Sequence, residues 1–238
     1  MKTLFFAALF LLSFDTAILY SQHNPEAYRT EREGMINRQI ADRGIRHPAT
    51  LDAMKKVPRH LFVPPTQTGN AYRDSPLPIG YGQTISQPYI VAFMTEIIEP
   101  EPDHVVLEIG TGSGYQAAVL AEIVNEVYTI EIIPELAESA TLLFDELDYK
   151  NIHVKTGDGY YGWEESGPFD AIVVTAAAEY IPPPLIAQLK DGGKMIIPVG
   201  TPFFVQQLML VEKKEGKTTT KNLMPVRFVP FTRSIEGE

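Results

Sequence analysis

Beyond Pro102 the chain alternates short apolar runs with longer segments whose apolar positions recur every three or four residues. "HVVLEIG", "EVYTIE", "IHVKTGD", "FDAIVVTAAA" and "KMIIPVG" read as strands, while "YQAAVLAEIV", "PELAESATLLFDEL" and "PPLIAQLKDGG" read as helices. Pro134 opens the second helix at a first-turn position, where its missing N–H costs nothing. Strands and helices in this order predict an α/β protein with a mostly parallel, doubly wound sheet covered on both faces. The tail adds "QQLMLVEK" and "NLMPVRFVPF", an antiparallel hairpin joined by the polar stretch Lys213 to Lys221 at the sheet edge.

The first hundred residues have another character. Pro25 to Arg43 is helical and charged, with Met35, Ile36 and Ile40 on one side and Gly44 as its stop. "HPATLDAMKKVPRHLFVPP" adds a short helix bounded by Pro58 and Pro64, so this part reads as an N-terminal helical cap. Ahead of it, Lys2 precedes an apolar run from Leu4 to Phe14, and small Ser21 stands where a leader peptidase would cut. The run is short of the roughly 20 apolar residues of a membrane span and is followed by Asp15. A signal peptide over 1–21 is therefore expected, with an uncleaved anchor or a plain extension as alternatives. The remainder, 22–238, reads as a single domain: 22–100 as cap and active-site lip, 101–238 as binding core and C-terminal strands. A cleaved leader implies an exported or periplasmic protein, and otherwise a cytoplasmic one.

Composition narrows the chemistry. A chain of 238 residues, 45% of them hydrophobic, is long enough for one sizeable core. The formal charge of −10 disfavours a nucleic-acid partner, whose affinity comes mainly from Lys and Arg on phosphates. With no Cys there is neither a disulfide framework nor thiol chemistry. The five His residues show no metal-ligand spacing, so no metal is expected. No stable membrane partner is expected, and the chain is read as a monomer.

"LEIGTGSGY" places Glu108, Gly110, Thr111, Gly112 and Gly114 where the first core strand turns into a helix. Glycines there let a ligand approach the backbone, but E-x-G-x-G-x-G differs from the G-x-G-x-x-G of dinucleotide sites. An acid two positions before the first Gly repels a pyrophosphate and welcomes a cation. S-adenosylmethionine has no phosphates and carries an ammonium and a sulfonium. Glu131 ends the second strand 21 residues after Gly110, where an acid reaches ribose hydroxyls, with Ile132 beside it. Asp158 and Gly159 follow the third strand at the same sheet edge and are placed to meet an adenine amino group.

"PLPIGYGQTISQPYIVA" sets Thr84, Ser86 and Gln87 at the lip of a helix. Together with "VPRHLFVP", "VLEIGTGSGYQAA", "TGDGYYGW", "FDAIVVTAAA" and "LKDGGKMIIPVG", it resembles the protein-L-isoaspartate O-methyltransferases over roughly Pro25 to Ile235. The resemblance implies a Rossmann-like S-adenosylmethionine-dependent methyltransferase fold. It also implies methyl transfer to the α-carboxylate of isoaspartyl residues in proteins and peptides, with repair through a succinimide. Ser86 is then the active-site residue, supported by Thr84; Gln83 and Ile85 line the cofactor, and Gln87 and Thr232 the substrate. A carboxylate with a pKa of about 4 is already ionised at neutral pH, so such a site needs positioning and no base. The hydroxyls of Thr84 and Ser86 supply positioning without the competing charge of Arg. A methyltransferase of the same fold acting on RNA, and a non-catalytic exported binding module, are the competing readings.

Overall fold

The computed structural model describes residues 28–233. The leader and the first turn of the expected N-terminal helix lie outside them.

Helix α1 (Arg29–Met35) runs on through a π turn (Ile36–Ile40) and a 3₁₀ turn (Ala41–Arg43) to Gly44, whose φ of 104° ends the run. Helix α2 (Pro48–Lys56) follows, then a two-stranded hairpin of β1 (Leu77–Gly80) and β2 (Gln83–Ile85), and helix α3 (Pro88–Ile97). The core elements are β3 (Val105–Ile109), α4 (Tyr115–Ala121), β4 (Glu126–Glu131), α5 (Pro134–Glu146), β5 (Ile152–Thr156), β6 (Phe169–Val174), α6 (Pro183–Gln188), β7 (Leu189–Val199), β8 (Gln206–Lys214) and β9 (Lys217–Val226). Proline stands in the first turn of α2, α3, α5 and α6, where its fixed φ favours the helix.

Seven strands form one sheet in the order β5-β4-β3-β6-β7-β8-β9. The pairs from β5 to β7 are parallel, and β8 and β9 add antiparallel. Strand alternation divides the core between the two faces. Val106, Val127, Val173 and Ile196 pack with α1 to α5, while Leu107, Ile130, Ile172 and Met195 pack on the other face with Leu185 of α6. Chain order reverses between β3 and β6, and the crevice beyond their carboxyl ends is where open α/β sheets bind ligands.

Three local expectations change. The segment read as a helix through Gly193 is helical only to Gln188; Leu189 already pairs with Phe169 as the start of β7. The polar stretch Lys213 to Lys221 is no loop: β8 and β9 run through it, and only Glu215 and Gly216 turn, both at positive φ (51° and 71°). That is the turn sense that matches strand twist. The lip before α3 is itself a hairpin, turned by Tyr81 and Gly82 at φ 52° and 71°.

Candidate active site

The turn after β3 is built for close approach. Gly110 has φ 95°, and a Cβ there would lie 2.5 Å from Thr175 Oγ1. Thr175, just after β6, donates its hydroxyl to the Gly110 carbonyl at 2.7 Å and so ties the two strand ends together. At the end of β4, Glu131 Oε2 accepts from the Gly112 N–H at 2.8 Å and Oε1 from the Ile133 N–H at 3.0 Å. The carboxylate, only 5% exposed, thus fixes the glycine turn to its own strand end. Each oxygen retains a lone pair for a ligand.

Glu108 is fully buried on β3. Thr129 Oγ1 donates to its Oε2 at 2.5 Å, and Thr111 Oγ1 lies 2.7 Å from Thr129 Oγ1, while Oε1 has no protein partner. Burial pushes the Glu108 carboxyl up to about 8, opposed by the Thr129 hydrogen bond and reinforced by the charge of Glu131.

Three adjoining spaces surround this turn, and Thr84 and Thr175 line all of them. The largest, about 410 Å³, is bordered by Ser86, Gln87, Ile90 and the chain from Pro225 to Val229. A second, about 60 Å³, has Gln83, Gly110, Gly112, Glu131, Ile132 and Gly159 on its wall. The smallest, about 30 Å³, is where Glu108 meets Ile85, Ser86, Thr111 and Gln116. The two hydroxyl residues therefore stand on the partition between the large cleft and the inner space.

Residues unmarked in the sequence reading hold this partition in place. Arg59, fully buried, donates from Nε to the Ala71 carbonyl and from Nη2 to the Ser86 carbonyl, both at 2.7 Å. Its guanidinium sits 4.7 Å from the Tyr115 ring centroid, and burial lowers its pKa to about 10. The signal was an Arg inside the apolar "VPRHLFVP". The tail supplies the opposite wall: the Ala177 N–H donates to Val229 O at 2.8 Å, and the Phe231 N–H returns to Ala177 O at 2.9 Å.

Two expected residues sit differently. Asp158 borders none of these three spaces: Oδ1 accepts from the Tyr160 N–H at 3.0 Å and Oδ2 from Arg233 Nε at 2.8 Å. Arg233 also lies 3.6 Å above the Tyr160 ring, so Asp158 caps a 3₁₀ turn and anchors the tail. Thr232 faces the 60 Å³ space with Phe231 and does not border the large cleft. Among the described residues no group of three or more His, Cys, Asp or Glu is placed to hold a metal ion.

The residues around the inner space fit a nucleoside that carries positive charge and no phosphate. Among the described residues neither Lys nor Arg lines it, Glu131 does, and Glu108, with one oxygen unpartnered, lines the adjoining one. With the strand order, this defines the Rossmann-like class of S-adenosylmethionine-dependent methyltransferases. Within that class, the chain belongs to the protein-L-isoaspartate(D-aspartate) O-methyltransferase family, whose model matches residues 30–236. It is 62% identical over 186 residues to protein-L-isoaspartate O-methyltransferase 2 of Syntrophobacter fumaroxidans, covering 78% of this chain and 75% of that one. With the protein-L-isoaspartate O-methyltransferase of Opitutus terrae it shares 57% over 207 residues, covering 87% and 89%. A Plasmodium falciparum structure described as a protein-L-isoaspartate O-methyltransferase in complex with S-adenosyl-L-homocysteine superposes with a TM-score of 0.73. That match has 25% identity and covers 85% of this chain and 99% of that one.

Proposed function

We propose that the protein methylates the α-carboxylate of L-isoaspartyl residues in damaged proteins and peptides, initiating their repair through a succinimide. S-adenosylmethionine supplies an electrophilic methyl group. The observation that carries the reading is the shared partition: Thr84 and Thr175 border both the large cleft and the inner space, and Ser86 stands on the cleft side. A peptide carboxylate in the cleft and a nucleoside in the inner space would meet there.

The cleft lining suits an acceptor that arrives ionised. Among the described residues it contains no carboxylate, His, Lys or Tyr, so none of these side chains is a candidate base, whereas the Ser86 and Thr84 hydroxyls can orient a carboxylate. Gln87 borders the same cleft and is assigned to the substrate. On the inner side, Glu131 is assigned to ribose hydroxyls, and Gly110, Gly112, Ile132, Gly159 and Gln83 to the walls. Glu108, Thr111 and Ile85 line the smallest space and are assigned to the cationic end of the cofactor. Asp158 is assigned to holding Gly159 and the tail, and Thr232 to the cofactor side.

Methyl incorporation from labelled S-adenosylmethionine, compared between an isoaspartyl peptide and its aspartyl twin, tests the reaction. Transfer to the isoaspartyl peptide alone is expected. Equal transfer to both, or to neither, would remove the assignment.

A further inference from the structure

Among the residues lining the large cleft, Arg227 is the one that carries a charge. Among the described residues it forms no side-chain hydrogen bond or ion pair, in contrast to Arg43 on Asp74, Lys190 on Asp170 and Arg233 on Asp158. The backbone on either side of it is nonetheless fixed. Val226 closes the β9 ladder opposite Gln206, and the Phe228 N–H donates to the Gln206 side-chain oxygen at 2.9 Å. Gln206 is itself 1% exposed. Buried Gln206 thus holds the chain on both flanks of Arg227, by strand pairing on one side and by its side-chain oxygen on the other, and leaves the exposed Arg227 at a cleft whose other described lining residues are neutral.

We propose that Arg227 is a specificity residue that captures a carboxylate of the incoming peptide, first of all the isoaspartyl α-carboxylate. The inference rests on the reaction proposed above, because that reaction requires every substrate to bring one negative charge into this cleft. The chain carries a formal charge of −10, so its overall field repels an anionic peptide, and a local cation at the mouth offsets that repulsion where it matters. A guanidinium offers a planar fork of donors to a carboxylate. Held on the reacting carboxylate throughout, it would draw electron density from the nucleophile. The role assigned to Arg227 is therefore capture and selection, with the hydroxyls of Ser86 and Thr84 taking over at the partition.

The test uses full-length protein and two isoaspartyl peptides, one with neutral neighbours and one with a glutamate beside the isoaspartyl residue. For Arg227→Gln, KM should rise about two- to fivefold at low ionic strength, the scale of an exposed ion pair, with kcat held. The difference from wild type should shrink as salt is raised. Arg227→Lys should recover most of the loss. Peptide binding in the presence of S-adenosylhomocysteine should weaken in parallel, while melting temperature and S-adenosylhomocysteine affinity stay unchanged.

A rise for both peptides identifies the isoaspartyl carboxylate as the captured group. A rise confined to the glutamate peptide assigns the capture to a flanking acid. Unchanged KM and peptide affinity for both overturn the proposal. If the wild type methylates neither peptide, the reaction itself is wrong, and the binding measurement still decides whether Arg227 holds a carboxylate.

Discussion

Glu108 and Thr129 are direct partners on neighbouring parallel strands, and the Thr129 hydroxyl reaches Glu108 Oε2 at 2.5 Å. Among the described residues this hydrogen bond is the carboxyl's one side-chain partner, and the group is fully buried. Burial raises its pKa from 4.5 to about 8. A raised folded-state pKa means the native protein holds a proton that the unfolded chain has lost. The stability that this one group contributes is therefore fullest below pH 4.5 and is lost as pH rises through 8. Thermal unfolding of the ligand-free protein between those limits should show a smaller downward slope in Glu108→Gln than in wild type. Identical slopes would mean that Glu108 ionises normally in the fold.

The same carboxyl links proton release to cofactor binding. A cation placed against Glu108 favours its ionised form, so S-adenosylmethionine binding near neutral pH should release a proton. Calorimetry in two buffers of different ionisation enthalpy would detect it as a difference in apparent heat, absent in Glu108→Gln. Equal heats in wild type would separate Glu108 from the cationic end of the cofactor.

Glu131 has a structural duty beside the assigned binding one. Replacing it with Ala removes the acceptor for the Gly112 and Ile133 N–H groups and should cost about 1 to 3 kcal/mol of stability, besides about 1.5 to 3 kcal/mol of cofactor affinity. Glu131→Gln keeps one carbonyl acceptor and should retain more of the stability than of the affinity. Cofactor affinity untouched in both variants would take Glu131 out of the site.

Ser86 offers its hydroxyl to the cleft, while its carbonyl is the group that Arg59 holds. Ser86→Ala should therefore leave the melting temperature near that of wild type and lower kcat by about one to two orders of magnitude, the worth of a hydrogen bond to a charged group. Because no base titrates, the pH profile should fall in height and keep its shape. Full activity in the variant would reduce the hydroxyl to a bystander.

For the segment ahead of residue 28 the expectation comes from sequence alone. Mass spectrometry of the protein from its native host should find a mature start near Gln22, after Ser21. An intact Met1 in the soluble cytoplasmic fraction would contradict the leader.

What the sequence disclosed, it disclosed through local spacing. Gly110, Gly112 and Glu131 lie within one strand-turn-helix-strand unit, and the distances along the chain translate directly into positions at the sheet edge. Thr175 and the tail from Val229 to Phe231 reach the site from remote points in the chain, and only the strand order brings them there. A threonine after an apolar strand carries no mark of that. The hairpin of β8 and β9 is legible at the sheet edge, but the full length of its strands is not. From Lys217 to Asn222 β9 is exposed at every position, so an edge strand with no buried face shows no alternation and reads as a polar loop. Asp158 was legible as an acid at a strand end, and its partner Arg233, 75 positions away, was not.

The bond from Arg59 to the Ser86 carbonyl also bears on how such an enzyme can be divided. The glycine turn assigned to the donor is tied to the ends of β4 and β6, but Ser86 on the assigned acceptor side is held from beneath by a buried guanidinium that precedes every strand of the large sheet in the chain. A fragment starting at β3 would keep the glycine turn and lose the buried Arg59 that holds Ser86. Transplanting this specificity onto another methyltransferase core would accordingly require moving Arg59, Ala71 and Ser86 as one unit.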